Sequence, residues 1–323
     1  MKVAVVAHCG KTLGGGLSEL RRVLAAEGID EVLWSEVPKS RKAPAQVQRA
    51  LDKGAELVIA WGGDGMVQRC VDVLAGSTAS LAIIPAGTAN LFATSLGIPR
   101  DIKEAVAVGL RGERRSLDVG RFNGEHFAVM AGAGFDAAMM RDAGSGGLKE
   151  RFGRIAYVWT GSENLRLKPF RAKIDVDGVD WYRGKASCIL VGNIGELFGG
   201  IEVFEDARPD DGKLELGVVT AAGLLQWGRT IARTALGSAA KSPFVQTTKA
   251  HSVKVKLSRK VRYELDGGDR KKVKAFKVKV ETGAITVCLP GRRFVNLQPP
   301  HVSRRPVSEK SVEHSLLTRS LSR

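Results

Sequence analysis

Within the first 112 residues, four short apolar runs each give way to a segment of helical spacing. The runs are VAVVA (3–7), EVLWSEV (31–37), ELVIAW (56–61) and SLAIIP (80–85). Strands that stay apolar instead of alternating are buried on both faces, and a strand–helix rhythm makes them parallel. The intervening segments carry the matching signals. LSELRRVLAAEG places Leu17, Leu20 and Leu24 on one helical face; APAQVQRALDKG has Pro44 in its first turn and Gly54 at its end. MVQRCVDVLAG lines up Val67, Cys70, Val71 and Leu74, and NLFATSLG and IKEAVAVGLRG follow. The pattern predicts an α/β domain over residues 1–115: a parallel sheet with helices on both faces. Such a sheet takes ligands at the carboxyl ends of its strands.

After residue 115 the texture changes. RRSLDVGRF, an Asn123-Gly124 turn and EHFAVMAGAGF read as a hairpin, and FRAKIDVDGVDWYRGKA repeats the device. SCILVGN, KLELGVVT, SVKVKLS, VRYELDGG, FKVKVET and AITVCL are further strands, with helical pieces near 153–166 and 222–236. Residues 116–297 are thus expected to form a β-sandwich, with its last strand open to returning to the first domain. Residues 298–323, rich in Pro, Ser and Arg, read as a disordered basic tail.

The net charge of +16 points to an anionic partner. Part of it is concentrated in two strands: Lys254 and Lys256 alternate with Val253, Val255 and Leu257, and Lys277 and Lys279 with Phe276, Val278 and Val280. The lysines face outward, as an ordinary solvated face or as a phosphate-rich or membrane-facing surface. No nucleic-acid module accompanies the charge, so no specific nucleic acid is expected. Cys9, Cys70, Cys188 and Cys288 lack the paired spacing of a zinc site or disulfide framework, which favours a reducing cytoplasm. No stretch reaches the roughly 18 apolar residues of a membrane span, so any membrane is met peripherally. An unpaired sandwich edge leaves room for a homodimer.

Chemistry concentrates where two strands end. WGGDGM (61–66) follows ELVIA and opens a helix, so its glycines let backbone amides approach an anion at a positive helix N-terminus. Asp64 repels a phosphate directly; it belongs there as a turn former, as a ligand acting through Mg2+, or as a base near a transferred phosphoryl group. PAGTANLFATSLGIP (85–99) repeats the strand–loop–helix arrangement, and Thr88 and Asn90 can hydrogen-bond a phosphate or the opposite loop. After the first strand, Gly10, Lys11 and Gly14 to Gly16 can cradle a phosphate, Lys11 adding a point charge. Further on, Asp210-Asp211-Gly212 reads equally well as a turn before a strand, and Asp266-Gly267-Gly268 as a hairpin turn.

GGDG followed by PAGTANLFA and LGIP resembles the diacylglycerol kinase catalytic domain shared by bacterial lipid kinases, sphingosine kinases and ceramide kinases. LDVGRFNGEHFAVMAGAGFDA, VGNIGELFGGIEVFEDARPDDGKLEL and YELDGG resemble the family's later segments in the same order, from about residue 2 to 297. The resemblance implies a kinase that moves the γ-phosphate of ATP, with Mg2+, to the hydroxyl of a diacylglycerol-like or sphingoid lipid at an anionic membrane surface. It implies an ATP-binding domain, a C-terminal sandwich and a site between them. Gly62, Gly63, Asp64, Gly65 and Met66 then line the ATP phosphates with Thr88 and Asn90, Asp211 takes the structural metal position, and Asp266 the late Asp-Gly-Glu position.

The sequence departs from that family in three places. Met66, Gln68 and Arg69 replace a threonine and an Asn-Glu pair. Gly268 replaces the glutamate taken as proton acceptor, leaving Asp269, Asp64 or Asp266 as the base, or no catalysis and a nucleotide- or lipid-binding regulator. AHCGKTLGGG replaces the usual Asn-Pro segment. An NAD kinase, which shares GGDG and the two-domain plan, is the more remote alternative.

Overall fold

A computed structural model of the chain describes residues 1–134, 169–197, 201–204, 206–221 and 243–291. The helical pieces expected near 153–166 and 222–236, and the tail from 298, lie outside the described residues.

The first domain alternates as its periodicity predicts. Strands β1 (Val3–His8), β2 (Val32–Val37), β3 (Leu57–Gly62) and β4 (Ser80–Pro85) are interleaved with helices α1 (Gly16–Ala26), α2 (Ala43–Asp52) and α3 (Asp64–Leu74). The strands pair in parallel in the order β2-β1-β3-β4. Chain direction reverses between β1 and β3, so right-handed crossovers put α1 on one face and α2 and α3 on the other. Burial follows: Val3 to Ala7 and Leu57 to Trp61 are all 1% exposed or less. A short helix α4 (Leu91–Ser95) leads to α5 (Ile102–Arg111), capped by the Asp101 carboxylate accepting the Glu104 amide at 2.9 Å.

The remainder is two sheets packed face to face. β5 (Glu113–Phe122) turns at Asn123-Gly124 into β6 (Glu125–Phe127), and β7 (Met130–Ala133) follows. β8 (Phe170–Val176), β9 (Val179–Ala186) and β10 (Cys188–Gly192) precede a small ribbon of β11 (Glu196–Leu197) and β12 (Ile201–Glu202). Then come β13 (Leu214–Val219), β14 (Val245–Ala250), β15 (Ser252–Val261), β16 (Tyr263–Leu265), β17 (Gly268–Asp269) and the long β18 (Val273–Leu289). One sheet orders β14-β13-β10-β7-β16-β17; β18-β15-β8-β9 continue the first domain's sheet beyond β4. Phe276, Val278, Val253, Val255 and Ile174 from one layer meet Leu216, Val218, Val191 and Ala131 from the other. The chain is therefore an α/β domain followed by a β-sandwich. β18 joins them: its first part pairs with β15, and Thr286 and Val287 lie parallel to Ser80 and Leu81 of β4.

Three hairpins turn on two-residue loops with both φ angles positive: Asn123-Gly124, Asp177-Gly178 and Asp266-Gly267. That geometry matches the twist of antiparallel strands and favours Asn or Asp followed by Gly. The hairpin expected to run on through EHFAVMAGAGF is shorter. β6 ends at Phe127, and β7 belongs to the opposite sheet, because the amides of residues 128–130 turn to a side chain, that of Asp266.

Candidate active site

β1 and β3 lie side by side and lead into loops that depart in opposite directions, which is where an open α/β sheet forms its crevice. The two loops are tied together. The Trp61 indole N–H donates to the Lys11 carbonyl at 3.0 Å, and the Gly10 amide donates to His8 Nδ1 at 3.1 Å. That bond makes Nδ1 an acceptor and gives His8, which no sequence motif singles out, a role in shaping the Gly10–Lys11 turn.

The third loop is locked to the second by backbone contact. A Cβ on Gly87 would overlap the Cα of Gly63 and lie 2.6 Å from Asn90 Oδ1, and one on Gly63 would lie 3.1 Å from the Cα of Gly87. Only glycine permits that approach. Asn90 sits in the left-handed region, with φ 52°, and is 2% exposed. Its Oδ1 accepts the Gly87 amide, and its Nδ2 donates to the carbonyls of Pro85 and Gly87. Both amide hydrogens are used inside the loop, so Asn90 shapes the cradle and does not offer it a free donor. Thr88 is exposed on the same loop. Met66 also differs from expectation: its side chain is 1% exposed and packed under Gly62, and its amide donates to the Gly63 carbonyl at 2.8 Å. In the first turn of α3 that side chain points into the core, so the missing threonine hydroxyl leaves a packed methionine and no gap in the loop.

Asp64 opens α3, and its Oδ1 accepts the Phe92 amide at the start of α4 at 3.1 Å. Burial raises its pKa; bonds from the amides of Phe92, Leu91, Asn90 and its own residue oppose the rise. Asp266 occupies the turn between β16 and β17. Its Oδ1 accepts the amides of Val129 and Met130 at 2.9 and 2.8 Å, and its Oδ2 that of Ala128 at 2.8 Å. Burial pushes its pKa up to about 7, the three amides pulling down and the Asp64 charge adding to the rise. Asp266 is thus a hairpin-turn residue, and its carboxylate is buried within the electrostatic reach of Asp64.

A second group fixes this pairing. Arg270 donates through Nε and Nη2 to both oxygens of Glu125, through Nη2 to Gln68 Oε1 at 3.2 Å and through Nη1 to the Gly268 carbonyl at 2.9 Å. Arg69 reaches Glu125 at 2.8 Å, and Gln68 donates to the His126 carbonyl at 2.6 Å. Helix α3, the β5–β6 hairpin and the β16–β17 hairpin are joined by these four side chains and two backbone carbonyls. A Cβ at Gly268 would lie 2.7 Å from Arg270 Nη1, so the guanidinium fills the space a side chain there would need. Asp269 is exposed beyond it, on the rim of a basic cavity. His126 adds a further tie, bonding Asp72 of α3 at 3.0 Å and Glu281 of β18 at 2.8 Å; these acids raise its pKa.

Asp211 is elsewhere. Its Oδ1 accepts the Lys213 amide, and its Oδ2 lies 3.7 Å from Lys249 Nζ, which also reaches Glu215 at 3.3 Å and the Asp206 carbonyl at 3.3 Å. An ammonium already stands among these oxygens. Among the described residues no group of three His, Cys, Asp or Glu side chains is placed to hold a metal. The arrangement does not fit a divalent ion at Asp211. Asp118 ties the neighbouring turn down, accepting the amides of Gly212 and Gly283 at 2.7 and 2.8 Å.

Comparison with known proteins gives two family matches. "Diacylglycerol kinase catalytic domain" spans residues 7–122, and "YegS C-terminal NAD kinase beta sandwich-like domain" residues 129–289. The "Diacylglycerol kinase" of Bacillus subtilis (strain 168) is 34% identical over 216 residues, covering 66% of this chain and 71% of that protein. A Klebsiella pneumoniae (strain 342) protein named "Probable lipid kinase YegS-like" is also 34% identical over 216 residues, covering 65% of this chain and 71% of its own length. A crystal structure of a diacylglycerol kinase from Bacillus anthracis shares the fold, with a TM-score of 0.68 at 23% identity over 91% of this chain and 98% of that one. An NAD kinase from Archaeoglobus fulgidus shares it less closely, at 0.54 and 13% over 92% and 97%.

Proposed function

This chain belongs to the diacylglycerol kinase catalytic-domain family, and from that premise we propose that it is an ATP- and Mg2+-dependent lipid kinase, phosphorylating a hydroxyl of a diacylglycerol-like or sphingoid lipid. One observation carries the reading furthest: half-buried Asp64, from the glycine-rich loop of one domain, and buried Asp266, from a hairpin of the other, lie within electrostatic reach of each other. Two desolvated carboxylates beside a cradle of glycine amides suit the transfer of a phosphoryl group, which needs positioning and charge neutralisation more than covalent chemistry.

In this reading Gly62, Gly63 and Gly65 bring backbone amides to the ATP phosphates, Lys11 adds positive charge and Thr88 a hydroxyl. Mg2+ commonly binds through one or two carboxylates plus substrate phosphates; Asp64, at the glycine-rich loop, would hold it there, and it would neutralise charge on the transferring group. The acceptor hydroxyl proton passes to Asp266, whose pKa of about 7 lets it hold a proton near neutrality. Asp269, exposed on the cavity rim, is the less favoured base. No helix among the described residues is long and apolar enough to cross a membrane, and the enzyme is read as a peripheral protein working from the cytoplasm.

A second reading rests on Arg270, whose guanidinium stands where the family's glutamate side chain would extend: a nucleotide- and lipid-binding homologue without turnover. ATP consumption against a panel of diacylglycerols and sphingoid bases separates the two, with NAD as a further acceptor. Lipid-dependent turnover that Asp64→Asn abolishes supports the kinase; ATP binding without lipid-dependent turnover supports the second reading; turnover retained in Asp64→Asn refutes the site. A homodimer through an open sheet edge is read from the mass in solution by light scattering.

A further inference from the structure

The outward face of the sandwich layer formed by β18, β15 and β8 is a field of lysines. Their inward neighbours Val253, Val255, Phe276 and Val278 build the core, so period-two geometry leaves Lys254, Lys256, Lys277 and Lys279 exposed. Register then brings like charges together. Lys254 lies directly opposite Lys277, and Lys256 directly opposite Lys173. Like charges in cross-strand register are destabilising, and the nearby acids do little to offset them. Asp180 is engaged by Lys173 and Arg183, and the Asp175 carboxylate, in register with Lys254, accepts the Gly178 amide at 3.0 Å. Lys254, Lys256, Lys277 and Lys279 make no ion pair among the described residues.

The charge continues along the same strand. Past Lys256, Lys260 at the end of β15 and Arg262 just after it line a cavity of about 710 Å3 with Lys271 and Lys272, and Asp269 and Arg270 complete its wall. That cavity opens at the hairpin whose turn carries Asp266. A positive strip therefore leads from a broad sheet face to the edge of the proposed phosphoryl-transfer cleft.

We propose that this lysine face, with the adjoining cationic cavity, is the surface by which the protein docks on an anionic lipid bilayer, bringing the cleft to the membrane. Charge complementarity favours that occupant. The face is a broad sheet, suited to a planar array of headgroup phosphates. Among the described residues the exposed large apolar side chains are Met1 and Val179 alone, so attraction and not insertion must supply the binding. Single-stranded nucleic acid would call for exposed aromatic platforms, but Phe170, Tyr182 and Phe276 of this layer are buried in the core and Trp181 packs against it. The docking serves the lipid-kinase reading and rests on it for its purpose, while its test does not depend on turnover.

The test is sedimentation of the full-length protein with vesicles of phosphatidylcholine, with and without roughly one-third phosphatidylglycerol, at low and near-physiological salt. The combined variant Lys254→Gln, Lys256→Gln, Lys277→Gln, Lys279→Gln is compared with a control of equal charge loss on the other domain: Lys39→Gln, Lys42→Gln, Lys53→Gln, Lys103→Gln, four exposed lysines. With each lysine near an anionic surface worth about a factor of five, the face variant should bind anionic vesicles at least about a hundredfold more weakly. The control should change by less than about threefold, and the neutral vesicles should bind neither protein. Equal losses in both variants, unchanged binding in the face variant, or tighter binding of the unmodified protein to single-stranded or duplex DNA than to anionic vesicles at the same salt each overturns the proposal. ATP turnover on a short-chain soluble lipid is measured alongside: its absence in the unmodified protein counts against the kinase reading and leaves the docking result to stand or fall on vesicle binding.

Discussion

Asp266→Asn should reverse sign with pH in its effect on stability. In the folded protein burial holds the Asp266 pKa near 7, against 3.8 for a free side chain. Between those values the folded state keeps a proton that the unfolded chain has released, so raising the pH favours unfolding. The contribution is fully present below about pH 4 and is lost as the pH rises through about 7. A rise from 3.8 to about 7 corresponds to roughly 4 kcal/mol. Asparagine removes that dependence and introduces a fixed cost. Its oxygen can still accept from Val129 and Met130, but its NH2 then faces the Ala128 amide, donor against donor, at about 1–3 kcal/mol. The variant should therefore be the less stable protein only at the acid end, the two curves crossing between about pH 4.5 and 6, and the more stable one above pH 8. Urea unfolding from pH 4.5 to 8.5, without nucleotide or metal, gives both curves. Parallel curves would show that Asp266 stays ionised throughout, its amides outweighing its burial, and would refute its assignment as the proton acceptor.

Gly268→Glu, which restores the family's residue, should lower activity instead of raising it. The new Cβ would stand 2.7 Å from Arg270 Nη1 and force the guanidinium off Glu125 and Gln68; a gain in kcat would contradict this. Gly87→Ala should cost about 1–3 kcal/mol of stability by overpacking and weaken nucleotide binding, because the loops at Gly63 and Gly87 can no longer touch. Calorimetric unfolding and ATP titration read the two effects, and an unchanged ATP affinity would argue that the cradle does not depend on that contact.

Most of the first domain was legible because its strands announce themselves twice, by apolar runs and by the helices between them. The sandwich strands were legible from alternation, and the hairpin turns from Asn-Gly and Asp-Gly pairs whose positive φ angles few other residues tolerate. The split between β6 and β7 was not, since it depends on a carboxylate 136 to 138 residues away taking three backbone amides. Asn90 and Met66 were located correctly in sequence but turn inward, because side-chain direction at a loop-to-helix junction follows from the packing beneath it. Lys249 gave no local signal at all. It lies 38 residues beyond Asp211 and meets it only through the pairing of β13 with β14.

The substitutions that separate this chain from its family also change meaning when they are seen together. Gln68, Arg69 and Gly268 read singly as three losses from a catalytic motif. In the fold they share Glu125 and Arg270: Arg69 puts a positive charge where the family carries an acid, Glu125 answers it, and Gly268 clears the space through which Arg270 reaches Glu125 and Gln68. Removing Glu125 would leave two half-buried guanidiniums without their carboxylate partner, a costly state. The set holds the hairpin carrying Asp266 against the helix that begins with Asp64. What the glutamate would have contributed chemically is gone, but the relative placement of the two carboxylates does not depend on it. In the proposed reaction the proton-accepting role therefore falls to Asp266, and restoring the glutamate alone should dismantle more than it repairs.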